Sequence, residues 1–344
     1  MPAKIRIGVV GLGRIGWNFH CNRIAAHRRF TLAGVADPLK ERLTEAADTF
    51  GCATFRKPED LLAMNELDAV VIASPTHFHR PHALAAFRHG LHVYLEKPMA
   101  LTLADARAIV REAKNHKRIL TVYQPQRAAA YFQHLKRILA KGRIGKVYHI
   151  RRGRFRYVQR DDWQSLTKYG GGMLNNYGAH AIDLVLGVTG YDVKRVFGQL
   201  RRVASLGDAE DVVKVLYETR NGVLGEVEIN QASATAPYGI QIWGTRGTIM
   251  YDEGVFHLRY VKGKLPKKAL NRSLASTGRR YPRDEITFID EDIPVNKKYA
   301  VNVYTNLANA VQKDAELLVK PEETLAVMKV MTDARRSAGK ILHS

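Results

Sequence analysis

Three groups of residues in this sequence have the types and spacing that chemistry needs. The first is Gly11-Leu12-Gly13-Arg14-Ile15-Gly16, which follows a short apolar β run and opens a segment with helical spacing. One glycine there makes a tight turn, one lets backbone approach a pyrophosphate, and one lets helix pack on sheet. The free N–H groups of the helix start then face the phosphates. Asp37 ends the next β run, 21 residues beyond Gly16 (37 − 16), where a carboxylate accepts hydrogen bonds from a ribose 2′-hydroxyl. A bound dinucleotide follows, with NAD preferred. Lys40 and Arg42, just beyond, could pair with a 2′-phosphate and keep NADP possible. The predicted contacts here are Gly11, Gly13, Arg14, Ile15, Gly16 and Asp37.

The second group is a pair of loops. Ser74-Pro75-Thr76-His77-Phe78-His79 follows the fourth β run and Glu96-Lys97-Pro98 follows the fifth. In a parallel sheet both fall on the edge where ligands bind. A lysine directly after a buried strand is partly desolvated, which lowers its pKa and suits it to proton exchange near neutrality; by spacing alone, a surface lysine paired with Glu96 fits as well. The third group runs from Tyr169 through Gly170-Gly171-Gly172 to Asn176, His180 and Asp183. Helical spacing puts those last three on one face, where a histidine can hold or deprotonate a hydroxyl or can simply pack.

The elements that must position these groups are legible. From Ile5 to Val122, β runs at Ile5–Val10, Thr31–Ala36, near Ala53, Ala69–Ala73, His92–Leu95 and Ile119–Val122 alternate with helical segments. That pattern predicts a doubly wound parallel sheet of the Rossmann type over residues 1–123. After Gln124 the texture changes. A helix over 130–141, a long β run over 147–158 and six further β candidates up to Tyr260 predict a second α+β domain over 124–344, with a large, mainly antiparallel open sheet. A basic, turn-rich stretch from Gly263 to Arg283 reads as a surface loop, and two closing helices should pack back on the body. The fold class is α/β overall.

Composition bounds the rest. The chain has 344 residues, 46% of them hydrophobic, which is ordinary for two globular cores. No apolar run approaches the roughly 20 residues of a membrane-spanning helix, and the first ten residues lead into the glycine turn without a signal-peptide core. Two cysteines without metal or redox spacing suit a reducing compartment, so a cytoplasmic location is expected, with no structural metal. The formal charge of +21 permits acidic partners, but no nucleic-acid signature accompanies it. Arg152, Arg154 and Arg156 share one strand face by period two; a solvated or oligomer-facing sheet surface is favoured there over an anion-binding one.

Taken in order, the Gly11–Gly16 fingerprint, Ser74-Pro75-Thr76-x-x-His79, Glu96-Lys97-Pro98 and the segment from Gly171 through His180 to Asp183 resemble the glucose-fructose oxidoreductase and inositol dehydrogenase family, Gfo/Idh/MocA. The resemblance spans essentially the whole chain. It implies a Rossmann domain followed by a second domain whose open sheet mediates oligomers, dimers or tetramers. It further implies that Lys97 lies at the active site, often with a cis bond to Pro98, and that His180 touches the reacting hydroxyl. Ser74, Thr76, His79, Glu96 and Lys97 then join the cofactor contacts. The sequence departs from the pattern at Asn176, where well-known members carry an aspartate. An amide orients an imidazole without neutralising its charge, which moves proton transfer toward Lys97 and leaves Asp183 as an alternative partner for His180.

The combined expectation is an NAD(P)-dependent oxidoreductase that moves a hydride between nicotinamide and a hydroxyl or carbonyl carbon of a sugar, polyol or sugar derivative. Lys97 and His180 are its catalytic residues, and Arg127, Trp163, Asn176 and Asp183 its substrate contacts. A redox-neutral isomerase or glycoside-cleaving enzyme with tightly held NAD is one alternative. A non-catalytic dinucleotide-binding regulator is the other.

Overall fold

The computed structural model describes residues 3–265, 267–270, 272 and 285–343. Strands β1 (Ile5–Val10), β2 (Phe30–Ala36), β3 (Ala53–Phe55), β4 (Ala69–Ile72), β5 (His92–Leu95) and β6 (Leu120–Val122) form one parallel sheet in the order β3-β2-β1-β4-β5-β6. Its central strands are buried on both faces, as helices on both sides require: Ile7, Val9, Val70, Val71 and Ile72 are all fully enclosed. The chain order reverses between β1 and β4. At that switch point the loops after neighbouring strands part and leave a crevice.

Strands β7 (Val147–Phe155), β8 (Val193–Arg202), β9 (Val212–Thr219), β10 (Leu224–Asn230), β11 (Ile240–Gly244), β12 (Gly247–Asp252), β13 (Val255–Val261), β14 (Phe288–Pro294) and β15 (Leu342–His343) form the second sheet, in the order β14-β13-β12-β11-β7-β10-β9-β8-β15. All its pairs are antiparallel except β7 with β10 and β8 with β15. One face is packed by helices Ala179–Thr189 and Pro321–Ala338 and carries Ile150, Val213, Val215 and Val227. The opposite face carries His149 stacked on Trp243, Arg151 over Tyr238, and the half-buried Glu226 and Glu228 beside Lys214. It lacks a covering layer among the described residues.

One hydrophobic core passes through both sheets, from Val10 and Ile72 to Ile150 and Val227, so the two domains pack as one body. Helix Val303–Lys313 returns to the first sheet, where Tyr304 and Leu307 pack with Ile5, Ile7 and Val35. Helix Pro321–Ala338 touches β6, β8 and the helix Leu103–Asn115. The two closing helices thereby tie the domains together.

Two readings need correction. Strand β14 was hidden by its charges: Phe288-Ile289-Asp290-Glu291-Asp292 is too acidic to read as an apolar run, but it pairs with basic β13 through His257–Asp292 and Arg259–Asp290. The face shared by Arg152 and Arg154 is also not the solvated one. Ile150 lies on it, so it turns toward the helices, and only Arg156 of the three is exposed. The period-two alternation held; the choice of covered face did not. The expected loop from Gly263 to Arg283 falls partly outside the described residues.

Candidate active site

A cleft of roughly 1250 Å³ opens at the switch point of the first sheet and is closed on its far side by Arg160, Asp162, Trp163 and Gln164 of the second domain. The glycine turn forms its floor. Gly11 has φ +93°, and a Cβ there would lie 2.8 Å from the Ala73 carbonyl, while one on Gly16 would lie 1.8 Å from the Gly11 oxygen. A Cβ on Gly13 would meet nothing within 4 Å, which leaves open space above that backbone for a diphosphate. Arg14 and Ile15 line the same floor, and the helix continues through a widened π-type turn at Gly16–Cys21. Asp37 accepts from the backbone N–H of Leu12 at 2.8 Å and of Leu39 at 3.0 Å, with the Arg42 guanidinium 3.3 Å away. Its carboxylate thus locks the turn to the end of β2 and keeps lone pairs for a ribose. The residues fit a dinucleotide.

Ser74, Thr76 and His79 line the cleft wall after β4. His79 is fully buried, and its two ring nitrogens face the Pro98 carbonyl at 3.0 Å and the Ser74 carbonyl at 2.9 Å. Burial lowers its pKa, and a neutral ring donates to one of these carbonyls while it packs against the other, bridging the two loops. Lys97 joins Pro98 through a cis peptide bond. Glu96 is held from behind: one oxygen faces His20 Nε2 at 2.8 Å and the other accepts from the Lys97 N–H at 3.1 Å. His20 Nδ1 lies 2.6 Å from the Tyr304 hydroxyl, inside a buried aromatic nest with Tyr94 and Tyr123. Sequence reading missed His20. Its signal was a polar residue on the buried face of the first helix, one turn after Gly16.

Lys97 Nζ donates to the backbone oxygen of Asn176 at 2.9 Å and to its side-chain oxygen at 3.2 Å. The Asn176 amide donates onward to Gln164 Oε1 at 3.0 Å. Burial lowers the Lys97 pKa; Glu96 opposes the shift, and the charges of Arg14 and Arg160 add to it. An ammonium held by neutral oxygens, with cations nearby, gives up its proton more readily than an exposed one.

His180 directs Nδ1 at Gln124 Oε1, 2.5 Å away. Because an amide oxygen only accepts, Nδ1 carries the proton and Nε2 keeps a lone pair. Burial, then the charges of Lys97 and Arg154, push the His180 pKa well below its ordinary value, so the ring is neutral. Gln124 is the orienting partner that sequence reading missed. Asp183, the partner expected, is taken elsewhere. The segment Leu174–Gly178 is a π-type turn ahead of the regular helix that carries His180, and Asp183 is held by Arg127.

Arg127 and Asp183, expected in the pocket wall, are bound to each other. Arg127 Nε and a terminal nitrogen donate to the two carboxylate oxygens at 2.7 and 3.0 Å, with Glu323 3.3 Å away and the Tyr191 hydroxyl also in contact. Both are buried, and although burial works against the charge, Asp183 and its neighbours hold Arg127 protonated. Trp163, 47% exposed, does stand at the cleft mouth. Beside it Arg160 makes a two-pronged pair with Asp162 at 2.6 and 2.9 Å. Arg154, which the sequence placed on a solvated face, lies with its guanidinium 3.9 Å from the Tyr177 ring centre.

Among the described residues no group of histidines, cysteines and carboxylates could hold a metal ion, and no helix is long and apolar enough to cross a membrane. The oxidoreductase family with the NAD-binding Rossmann fold matches residues 5–124, and its Gfo/Idh/MocA C-terminal domain matches residues 132–250. Myo-inositol 2-dehydrogenase of Thermotoga maritima is 30% identical over 260 residues, covering 72% of this chain and 75% of that one. An NAD-binding protein from Listeria innocua superposes with a TM-score of 0.81 at 25% identity, covering 98% and 95% of the two chains. The WlbA dehydrogenase of Bordetella pertussis, solved in complex with NADH and UDP-GlcNAcA, gives 0.77 at 27% identity over 98% and 97%. The glycine turn, the Glu96-Lys97-Pro98 loop and the sheet behind His180 therefore have one common origin: this chain belongs to the Gfo/Idh/MocA family of NAD-binding oxidoreductases.

Proposed function

We propose that this enzyme oxidises a secondary hydroxyl of a sugar or polyol, or reduces the matching carbonyl, with NAD as the preferred cofactor. The observation that carries the reading is the Lys97 ammonium held on Asn176, beside the cleft that the glycine turn floors. When bound, the nicotinamide supplies the hydride acceptor. Gly11, Gly13, Arg14 and Ile15 hold the diphosphate, with Gly16 packed beneath the turn, and Asp37 holds the ribose; the partly neutralising Arg42 leaves NADP as a weaker second choice. Lys97, whose ammonium form burial disfavours, is the group that takes the hydroxyl proton once it has given up its own. His180, whose Nε2 can only accept, takes a hydrogen bond from a neighbouring hydroxyl of the substrate, its ring fixed by Gln124, while Asn176 positions Lys97. Trp163 offers an aromatic face to a sugar ring at the mouth. The relative from Thermotoga maritima is a myo-inositol 2-dehydrogenase, and one structural relative was solved with a sugar nucleotide, which supports this substrate class.

The open face of the second sheet, with Phe197 and Met250 more than 45% exposed, suits a homo-oligomer interface, and the two free cysteines suit the cytoplasm. Initial rates on polyols, sugars and sugar acids with NAD and NADP, read at the nicotinamide absorbance band, test the function. Accumulating NADH with one class supports it. Product without net NADH would replace it by the redox-neutral reading, and NADH binding without any turnover by a regulatory one.

A further inference from the structure

The arginines around the cleft and the helix Ala179–Thr189 divide by whether the protein satisfies their N–H groups. Arg160 is paired with Asp162, and Arg127 with Asp183. Arg152 donates to the carbonyls of Gly153 and Gly239, and Arg335 to the Asn175 side chain at 2.6 Å. Arg154 is different. Its Nε is buried without a hydrogen-bond partner, and among the described residues no carboxylate pairs with its guanidinium. The guanidinium rests on Tyr177, which follows Asn176 in the chain, and its charge reaches His180. The stack supplies cation–π attraction but satisfies no N–H. A guanidinium kept there with a buried N–H unsatisfied costs stability, so its retention points to a ligand that supplies the missing acceptor.

We propose that the substrate is a sugar acid whose carboxylate is bound by Arg154, beside His180 on the inner face of β7; this rests on the dehydrogenase reading above. One such guanidinium matches the single charge of a carboxylate. Arg14 and Arg56 line the cleft beside the glycine turn and Asp37, where a dinucleotide would lie, which leaves Arg154 as the arginine near His180 with an unsatisfied N–H. The planar guanidinium fork also matches a planar carboxylate. The carboxylate takes no part in the redox step. It fixes which carbon of the ring stands against Lys97 and His180.

The test measures initial NAD reduction on matched pairs, D-glucuronate against D-glucose and D-galacturonate against D-galactose, with D-glucose 6-phosphate as a phosphate arm. Wild type, Arg154→Lys and Arg154→Met are compared, each with its thermal unfolding profile. Wild type is expected to favour uronates in kcat/KM by about 10²-fold, the worth of a charged hydrogen-bonded pair. Arg154→Met removes the preference, chiefly through KM, and Arg154→Lys restores part of it. Glucuronate should also raise the melting temperature of the NADH complex in wild type and not in Arg154→Met. Equal use of neutral sugars and uronates, preference for the phosphate, or an unchanged acid-to-neutral ratio in Arg154→Met would overturn the inference while leaving the dehydrogenase standing. If Arg154→Met does not fold, the wild-type ratio and Arg154→Lys decide. No turnover on any of the pairs, with NADH bound, would bring down the underlying reading as well.

Discussion

Arg127 and Arg154 lie near opposite ends of the same structural problem, a guanidinium carried into the packed region around helix Ala179–Thr189. Arg127 meets a complete set of partners in Asp183, Glu323 and Tyr191. Arg154 meets only an aromatic face. The first arrangement closes on itself and can do nothing except hold the domain together. The second is open, and it lies near His180, whose charged form is disfavoured by burial and by the charges of Lys97 and Arg154. A guanidinium satisfied from within builds the fold, and one left with an unsatisfied N–H marks where a ligand can enter.

The contrast can be broken from either side. The largest effect is expected at the open end: Lys97→Met should lower turnover by about 10²–10⁴-fold, the usual worth of a positioned proton acceptor. NADH affinity, followed by nicotinamide fluorescence, should change little. Residual turnover near wild type would remove Lys97 from the proton path.

At the closed end, Arg127→Leu leaves the Asp183 carboxylate buried without its partner and should cost about 3–5 kcal/mol in urea unfolding. The double replacement Arg127→Leu with Asp183→Leu should recover much of that loss, because both charges then leave together. If the single replacement proves neutral, Arg127 is not the closed counterpart described here. A smaller effect is expected at Gln124→Leu, which frees the His180 ring: kcat should fall by up to about 10²-fold through misorientation, with the fold intact. An unchanged kcat would mean that the ring is fixed by something else.

Much of this was readable in advance, and the failures have a common cause. The glycine turn, Asp37 and the Lys97 loop were legible because each is a local device, set by a strand end and its next few residues. Trp163 at the cleft mouth was legible for a similar reason. Arg127 with Asp183, Gln124 with His180, and His20 with Glu96 are pairs whose members stand 56, 56 and 76 residues apart, and no short-range pattern records such a partner. Arg154 failed differently. Alternation placed it on one face of β7, but which face the helices cover is decided by the whole sheet.

Histidines whose charged form is disfavoured by desolvation give the stability a pH signature. Desolvation lowers His82 from 6.5 to about 4, and it also lowers His79, His92 and His180. A base depressed in the fold binds more protons when unfolded, so its contribution is complete above pH 6.5 and is lost as pH falls toward the folded value. Urea midpoints should therefore be flat above about pH 7 and decline from 6.5 toward 4. A midpoint that rose over that window would show that these rings are charged in the native state.

The central claim is that Lys97 acts in its neutral form because Asn176 offers it no negative charge. The pH dependence of kcat for alcohol oxidation, compared between wild type and Asn176→Asp, tests this most directly. A carboxylate at 176 would favour the ammonium, so the ascending limb should move to higher pH while the plateau stays within a few-fold. A limb that stayed in place, or moved to lower pH, would contradict the assignment of the proton to Lys97.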